Sequence, residues 1–233
     1  VIESGSRLLN NVTVLGHTTV GRDNIFFPNS VIGAAPQDKK FRGETTRLTI
    51  GNSNVFREAV TVHLGTDKGS GITTVGNDNL LMINSHIGHD TQMGSNCVVA
   101  NNVMIAGHVH IEDGANLAGG VGVHHYVTIG RFAYIGGYAR IHHDVPPFVK
   151  IDGADEGRGL NRVGLRRAGY ANEDIEALDD AVRRLFYGRG KVFAQAMAEF
   201  DLMNGLTPQV KYMLEFLRRR DQLRHEVVGR SGP

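Results

Sequence analysis

The sequence predicts a left-handed parallel β-helix over residues 1–150, built of six-residue repeats, with a small α-helical domain over 171–233. Three observations predict this mainly β class. Twelve apolar residues follow one another at an unbroken interval of six: Val75, Leu81, Ile87, Met93, Val99, Ile105, Ile111, Leu117, Val123, Ile129, Ile135 and Ile141. Two positions before each stands a second small or moderately apolar residue, among them Ser85, Thr91, Cys97, Val103, Val109, Ala115, Val121, Ala133 and Ala139. Alternate residues of a strand face one side, so each pair points inward. After Asp144-Val145-Pro146-Pro147 the six-residue phase stops, and a helical period replaces it.

Toward the N-terminus the same register runs through Ile2, Leu8, Val14, Val20, Phe26 and Ile32, then resumes at Ile50, Phe56 and Val62. Two polar, glycine-containing interruptions, 34–46 and 64–73, predict loops, and insertions in a solenoid map to one face, often the binding face. With three flat strands per turn of a triangular prism, residues eighteen apart stack. Glycine often follows the inward aliphatic residue, as at Gly76, Gly88, Gly94, Gly130 and Gly136, where a sharp turn is expected. The chain opens on Val1 in mid-pattern with no initiator methionine, so earlier coils are expected to be missing from it.

Residues 151–170 read as a connector. Beyond it, Ile175, Leu178, Val182, Leu185 and Phe186 form one helical stripe, with Asn172 as the expected N-cap. A second stripe uses Val192, Phe193, Met197 and Phe200 and is expected to stop at Asn204-Gly205. A third helix should start with Thr207 as cap and Pro208 at the first position, burying Val210, Leu214 and Leu217.

Composition narrows the function classes. A formal net charge of +1 gives no reason to expect nucleic acid. No apolar run approaches the roughly 18 residues of a membrane span, and no secretory signal is visible, so a soluble cytoplasmic protein is expected. The single cysteine, Cys97, falls on an inward phase and reads as a small core hydrophobe.

The histidines carry the chemical signal. His86, His89, His108, His110, His124, His125 and His142 all lie off the inward phases, on the expected outer surface. His89, Gly107 and His125 stand eighteen apart, as do Asp90, His108 and Tyr126, so two adjacent columns cross three coils. Gly107 between two imidazoles offers a backbone N–H free of side-chain cover, and Asp90 can hold the tautomer of His89. A histidine, with an ordinary pKa of about 6.5, can take a hydroxyl proton while an amide stabilises an oxyanion. That pairing suits acyl transfer. No serine or cysteine is placed for a covalent intermediate, which favours direct transfer to a bound alcohol.

The segment DNLLMINSHIGHD (78–90), Asn101-Asn102, Ala106-Gly107-His108, Val123-His124, Asp144-Val145-Pro146-Pro147 and GLRRAG (164–169) closely resembles the UDP-N-acetylglucosamine O-acyltransferases, which begin lipid A synthesis. The resemblance covers nearly the whole chain and implies that roughly two N-terminal coils of the family are missing here. It implies transfer of a 3-hydroxyacyl group from acyl carrier protein to the glucosamine 3-hydroxyl of UDP-N-acetylglucosamine, without a cofactor or metal, in a homotrimer with sites between subunits. By the same resemblance His89 would be the general base, Asp90 its partner and Gly107 the oxyanion donor. His86, His108 and His124 would line the sugar and acyl pocket, and Gln37, Asp38 and Lys40 of the first loop would reach a neighbouring subunit's site.

Departures from the family pattern bear on specificity. His125 stands where relatives often carry glutamine. Asn161 and Arg167 match residues for nucleotide or phosphate contacts, but Val163 and Ala168 replace a glutamate and a second arginine. Gly137 matches a position that limits acyl length when bulky, so glycine implies room for a longer chain, with Tyr138 adjacent. Arg218, Arg219, Arg220 and Arg224 could meet an acidic carrier protein by charge complementarity. Rival readings are a zinc-dependent hydratase of carbonic-anhydrase type with three histidines converging across a trimer interface, the related glucosamine N-acyltransferase, and an inactive scaffold.

Overall fold

The computed structural model describes residues 1–187 and 192–229, with side chains throughout except at 158 and 220–229. Among the described residues the strands fall into three sheets, of nine, seven and six strands, the last two of the nine lying beyond the repeat. Each strand pairs in parallel with the one a full turn later: Leu80 with Val98, His86 with Met104, and Gln92 with His110, all eighteen residues on. Where the two loops intervene the interval lengthens, Ile25 pairing with Val55 and Val55 with Leu80, yet the alternation of inward and outward residues continues in phase. The chain is therefore a parallel β-helix of hexapeptide coils followed by helices.

Burial follows the two inward phases. All twelve aliphatic positions from Val75 to Ile141 are at most 4% exposed, and the small residues two positions earlier are sealed with them. Full burial of such a side chain contributes about 1.5–3 kcal/mol each. Ile2 and Leu8 share the phase but are 41% exposed, because no described coil covers the opening one. Phe26 and Phe56 stack with centroids 4.7 Å apart, filling the wider early coils.

The glycines after the aliphatic residue owe their place to a different cause from the expected turn. Gly88 has an ordinary φ, but a Cβ there would lie 2.6 Å from the Ala106 carbonyl carbon and 2.7 Å from the Gly107 nitrogen of the next coil. Close stacking of coils is what excludes a side chain. The left-handed turn residue comes two positions later, at Asn84, Asp90, Asn96, Asn102, His108 and Tyr126, with φ between 58° and 64°. Asparagine and aspartate tolerate that region; histidine and tyrosine are held there by the coil.

A ladder of buried asparagines ties successive coils together. Asn54 donates from its backbone N–H and from Nδ2 to Asn24 Oδ1 (2.9 and 3.0 Å), and donates again to the Gly76 carbonyl (2.9 Å). Its own Oδ1 accepts from the Asn79 N–H (2.9 Å), and Asn79 Oδ1 accepts from the Cys97 N–H (2.7 Å). Cys97 is fully buried, as the small core residue expected, and burial pushes its thiol up to about 12.

The stretch expected as a connector is structured. Val149–Asp152 extends the nine-stranded sheet and Glu156–Leu160 folds back on it antiparallel, before the short helix α1, Arg162–Arg167. Helix α2, Asn172–Phe186, buries Ile175, Leu178, Val182 and Leu185. Its N-cap position is Ala171, with no side-chain cap; Asn172 is already helical, and Glu173 and Asp174 complement the helix dipole instead. Helix α3, Phe193–Asp201, buries Met197 and Phe200 but leaves Val192 exposed just outside it, and it stops before Asn204-Gly205. Helix α4, Pro208–Gly229, begins as expected, with Thr207 Oγ1 accepting from the Val210 N–H (3.3 Å). Phe148, Phe132, Tyr170 and Tyr212 lock the helices to the last coil, with centroids 5.3 to 6.5 Å apart. No helix among the described residues is long and apolar enough to cross a membrane.

Candidate functional site

The histidine cluster forms where the chain turns from the seven-stranded to the six-stranded sheet. His86 and Ile87 end a strand of the first, Gln92 and Met93 open a strand of the second, and His89-Asp90 occupy the corner between them. Eighteen-residue stacking puts Gly107-His108 on the next coil and His125-Tyr126 on the one after. Coil stacking thus brings the two predicted columns onto one edge.

His89 Nδ1 meets Asp90 Oδ2 at 2.9 Å. With the carboxylate accepting at Nδ1, the lone pair is left on Nε2. That side of the ring lies over Gly107, since a Cβ built on Gly107 would stand 2.5 Å from His89 Cε1 and 2.6 Å from Nε2. The Gly107 N–H donates no hydrogen bond among the described residues. His108 meets His89 edge-on at 4.9 Å and stacks flat on Tyr126 at 4.5 Å.

An outer-surface position was expected for these histidines, and the second loop overrules it for the central pair. His89 is 9% exposed and Asp90 3%. Thr66 donates its backbone N–H to both carboxylate oxygens (3.0 Å each) and its hydroxyl to Oδ2 (2.6 Å). Ser70 Oγ lies 3.2 Å from Oδ1, and Thr73 Oγ1 accepts from the Asp90 N–H at 2.8 Å. Burial alone raises the Asp90 carboxyl, but the bonds from Thr66 and His89 outweigh it and hold the group below the ordinary carboxylate range. Burial depresses His108 against the opposing pull of Asp90.

His63 was missed by sequence reasoning, although it closes the strand entering the second loop. It is 6% exposed, meets His86 edge-on at 4.9 Å, and has a buried Nδ1 without a partner. Burial, helped by the charges of His86 and His89, lowers it to about 4. His86 is likewise lowered by burial and by His89, and its Nδ1 pairs with Thr61 Oγ1 at 2.8 Å. Thr66 and Ser70 were also missed; the only sequence signal was that hydroxyl residues occupy an inserted loop.

From the first loop, Asp38 bears on the cluster within the same chain. The Lys40 N–H (2.9 Å to Oδ1) holds its carboxyl below the usual range, and the charges of His89, Lys40 and Lys68 act in the same direction. Gln37 and Lys40 are exposed beside it. His124 lines an open groove with His86, Met104, Gly122, Arg140 and His142 on the seven-stranded sheet. His125 is exposed against His124 (5.4 Å) and Tyr126 (6.4 Å).

Four of the residues singled out in the sequence are not drawn to this edge. Gly137, beside the 85% exposed Tyr138, turns the chain between the nine- and seven-stranded sheets, at the other border of the groove-bearing sheet. Asn161 caps α1, accepting from the Gly164 N–H (3.0 Å) and donating to the Phe132 carbonyl (2.9 Å). Arg167 is exposed in the last turn of the same helix. His110 lies on the six-stranded sheet, in a groove with Arg131 and Tyr212.

Ligand-capable atoms of His89, Asp90 and His108 lie within 4.8 Å of one another. The carboxylate there is already engaged by Thr66, Ser70 and His89, which organises the cluster as a hydrogen-bonded His–Asp pair.

Comparison with known proteins gives concordant matches. The family described as UDP-N-acetylglucosamine O-acyltransferase, domain 2, matches residues 144–225, and the bacterial transferase hexapeptide (six repeats) matches 72–107. The UDP-N-acetylglucosamine acyltransferase LpxA of Bacteroides fragilis is 35% identical, over 93% of this chain and 85% of that one, with a TM-score of 0.89. LpxA of Acinetobacter baumannii is also 35% identical, over 94% and 85%, at 0.88. The Arabidopsis UDP-N-acetylglucosamine acyltransferase is 32% identical, over 93% and 85%, at 0.85. Hexapeptide coils, the appended helices and this degree of identity over nearly the whole length agree: the chain belongs to the UDP-N-acetylglucosamine acyltransferase family.

Proposed function

We propose that this chain transfers a 3-hydroxyacyl group from acyl carrier protein to the glucosamine 3-hydroxyl of UDP-N-acetylglucosamine, the first step of lipid A biosynthesis, by direct transfer with His89 as general base. The observation that carries the reading is the contact of the His89 Nε2 edge with Gly107 while Nδ1 is held by Asp90. His89 Nε2 takes the proton of the sugar 3-hydroxyl as that oxygen attacks the thioester carbonyl carbon. The Gly107 N–H faces the oxyanion that develops. The C–S bond then breaks, and the imidazolium returns its proton to the departing thiolate, so no covalent enzyme intermediate forms. Asp90 fixes the tautomer and stabilises the imidazolium.

His86, His108 and His124 fall in or beside the groove where sugar and acyl chain would lie, and Asp38, with Gln37 and Lys40, faces the same cluster. The groove is open, which fits an active site completed by a neighbouring subunit of a homotrimer. Arg167 and Asn161 would serve the nucleotide only across such an interface, and Asn161 would have to do so while capping α1. At Gly137 the absent side chain leaves space at the far border of the groove, consistent with a long acyl chain. Arg219 is exposed on α4 and suits an acidic carrier protein, whereas Arg218 is engaged by Asp201. The side chains of Arg220 and Arg224 lie outside the described residues.

A mass-spectrometric transfer assay with 3-hydroxyacyl carrier proteins of several lengths tests donor, acceptor and length together. UDP-N-acetylglucosamine and an amino-sugar nucleotide are offered in parallel; acylation only of the amine would replace this reading with the N-acyltransferase. His89→Ala should lower kcat by about 10² to 10⁴ with folding intact. Turnover near that of the parent protein would reject His89 as base. Stoichiometric zinc in the purified protein, with activity lost on chelation, would favour the hydratase.

A further inference from the structure

The second loop does more than cover the site. Its Thr66 hydroxyl and the His89 ring share one acceptor atom, Asp90 Oδ2, at 2.6 and 2.9 Å. The Thr66 backbone N–H adds a third donor to that oxygen at 3.0 Å. Thr66 itself is 2% exposed, so the arrangement is dry and its donors are not exchanged for water. Gly69 presses the loop onto the carboxylate so closely that any Cβ there would collide with it.

We propose that Thr66 is a positioning residue that sets the basicity of His89 through the Asp90 carboxylate, a role that rests on His89 acting as the general base. Each donor on Oδ2 neutralises part of the charge that would otherwise stabilise protonated His89. The Thr66 hydroxyl therefore withholds part of the Asp90 charge from the imidazole. It also fixes the carboxylate plane, and with it the ring that Gly107 abuts.

Other charged groups bear on His89: His63 and His86 from the adjoining strands, His108 from the next coil, and Asp38 from the first loop. Lys68 acts on Asp38, and His125 on His108. None of these hydrogen-bonds to Asp90 Oδ2; His108 Nδ1 comes nearest, at the ion-pair distance of 3.8 Å, and Thr66 differs in donating directly to it. Ser70 provides an internal comparison. Its single proton is placed for the Ile72 carbonyl at 2.8 Å as well as for Oδ1 at 3.2 Å, so it draws on the carboxylate more weakly and at the other oxygen.

The test is the pH profile of kcat/KM, whose acid limb reports the base of the free enzyme. Thr66→Val keeps shape and backbone N–H but removes the hydroxyl. Its acid-limb midpoint should move to higher pH by about half a unit, leaving KM for the sugar nucleotide near its parent value while kcat at pH 6 falls. Thr66→Ser should restore the profile. Ser70→Ala should shift the midpoint in the same direction but less, and it supplies the test if Thr66→Val does not fold. An unmoved or lowered midpoint in Thr66→Val, or a serine variant displaced as far as the valine one, overturns the proposal. Measuring His89→Ala alongside separates the two readings: an active His89→Ala removes the base itself, whereas an inactive one with an unmoved Thr66→Val profile removes only the role of Thr66.

Discussion

Replacing Gly107 by alanine probes the close approach of the next coil to the His89 ring. Gly107 has no left-handed φ, so the backbone accepts alanine without strain. The added Cβ would lie 2.5, 2.6 and 2.9 Å from His89 Cε1, Nε2 and Nδ1. Ordinary contact begins at 3.4 Å, so the ring has to withdraw by about 1 Å. It cannot rotate freely, being held by Asp90 on one side and by the edge-on His108 at 4.9 Å on the other. A displacement of about 1 Å in a reacting group costs about 10² in rate, or roughly 3 kcal/mol of barrier. Overpacking should cost folding about 1–3 kcal/mol, lowering the melting temperature by several degrees. Steady-state acyl transfer and thermal melting, measured together, check this. A Gly107→Ala protein that melts a few degrees lower yet keeps kcat/KM within twofold of its parent would refute the placement of His89 against Gly107.

Further outcomes follow from burial and hydrogen bonding. His63 titrates at about 4 in the folded protein against an ordinary 6.5, so the unfolded chain binds its proton first. Stability should be unaffected by this group above pH 6.5, fall by up to about 3 kcal/mol as pH drops from 6.5 to 4, and then level off; His63→Gln should show a shallower decline in urea melts over that window. Asn54→Ala orphans buried partners on both sides of the ladder and should cost about 3 kcal/mol of folding, with kcat/KM unchanged because the ladder lies away from the His89 edge. Cys97 should resist iodoacetamide at pH 8 in the native protein and react fully in denaturant; ready labelling of the native protein would contradict its burial and raised pKa.

Why some features were legible in the chain and others were not follows from the range of the interactions. The coil register was legible because a strand repeats its facing every two residues and a coil every eighteen, so inward residues such as Ile87, Ile105 and Val123 announce themselves by spacing alone. The alignment of His89, Gly107 and His125 follows from the same arithmetic, as does that of Asp90, His108 and Tyr126. Helix boundaries were less legible: Asn172 has the chemistry of a cap but lies inside α2, since local preference yields to where the hairpin delivers the chain.

Tertiary structure decided what the loops do. Linear spacing carries no information on how an insertion folds back, so nothing in 64–73 marked Thr66 and Ser70 as donors to Asp90. His63 became a buried, neutral histidine by the same closure. The glycine at 88 shows the division most plainly. Its position was visible in the repeat, but its cause was not the local turn; it is the backbone of the next coil, eighteen residues away, passing too close for a Cβ. Periodicity is a local property of the chain, whereas burial, shared hydrogen-bond acceptors and excluded volume come into being only when distant segments meet.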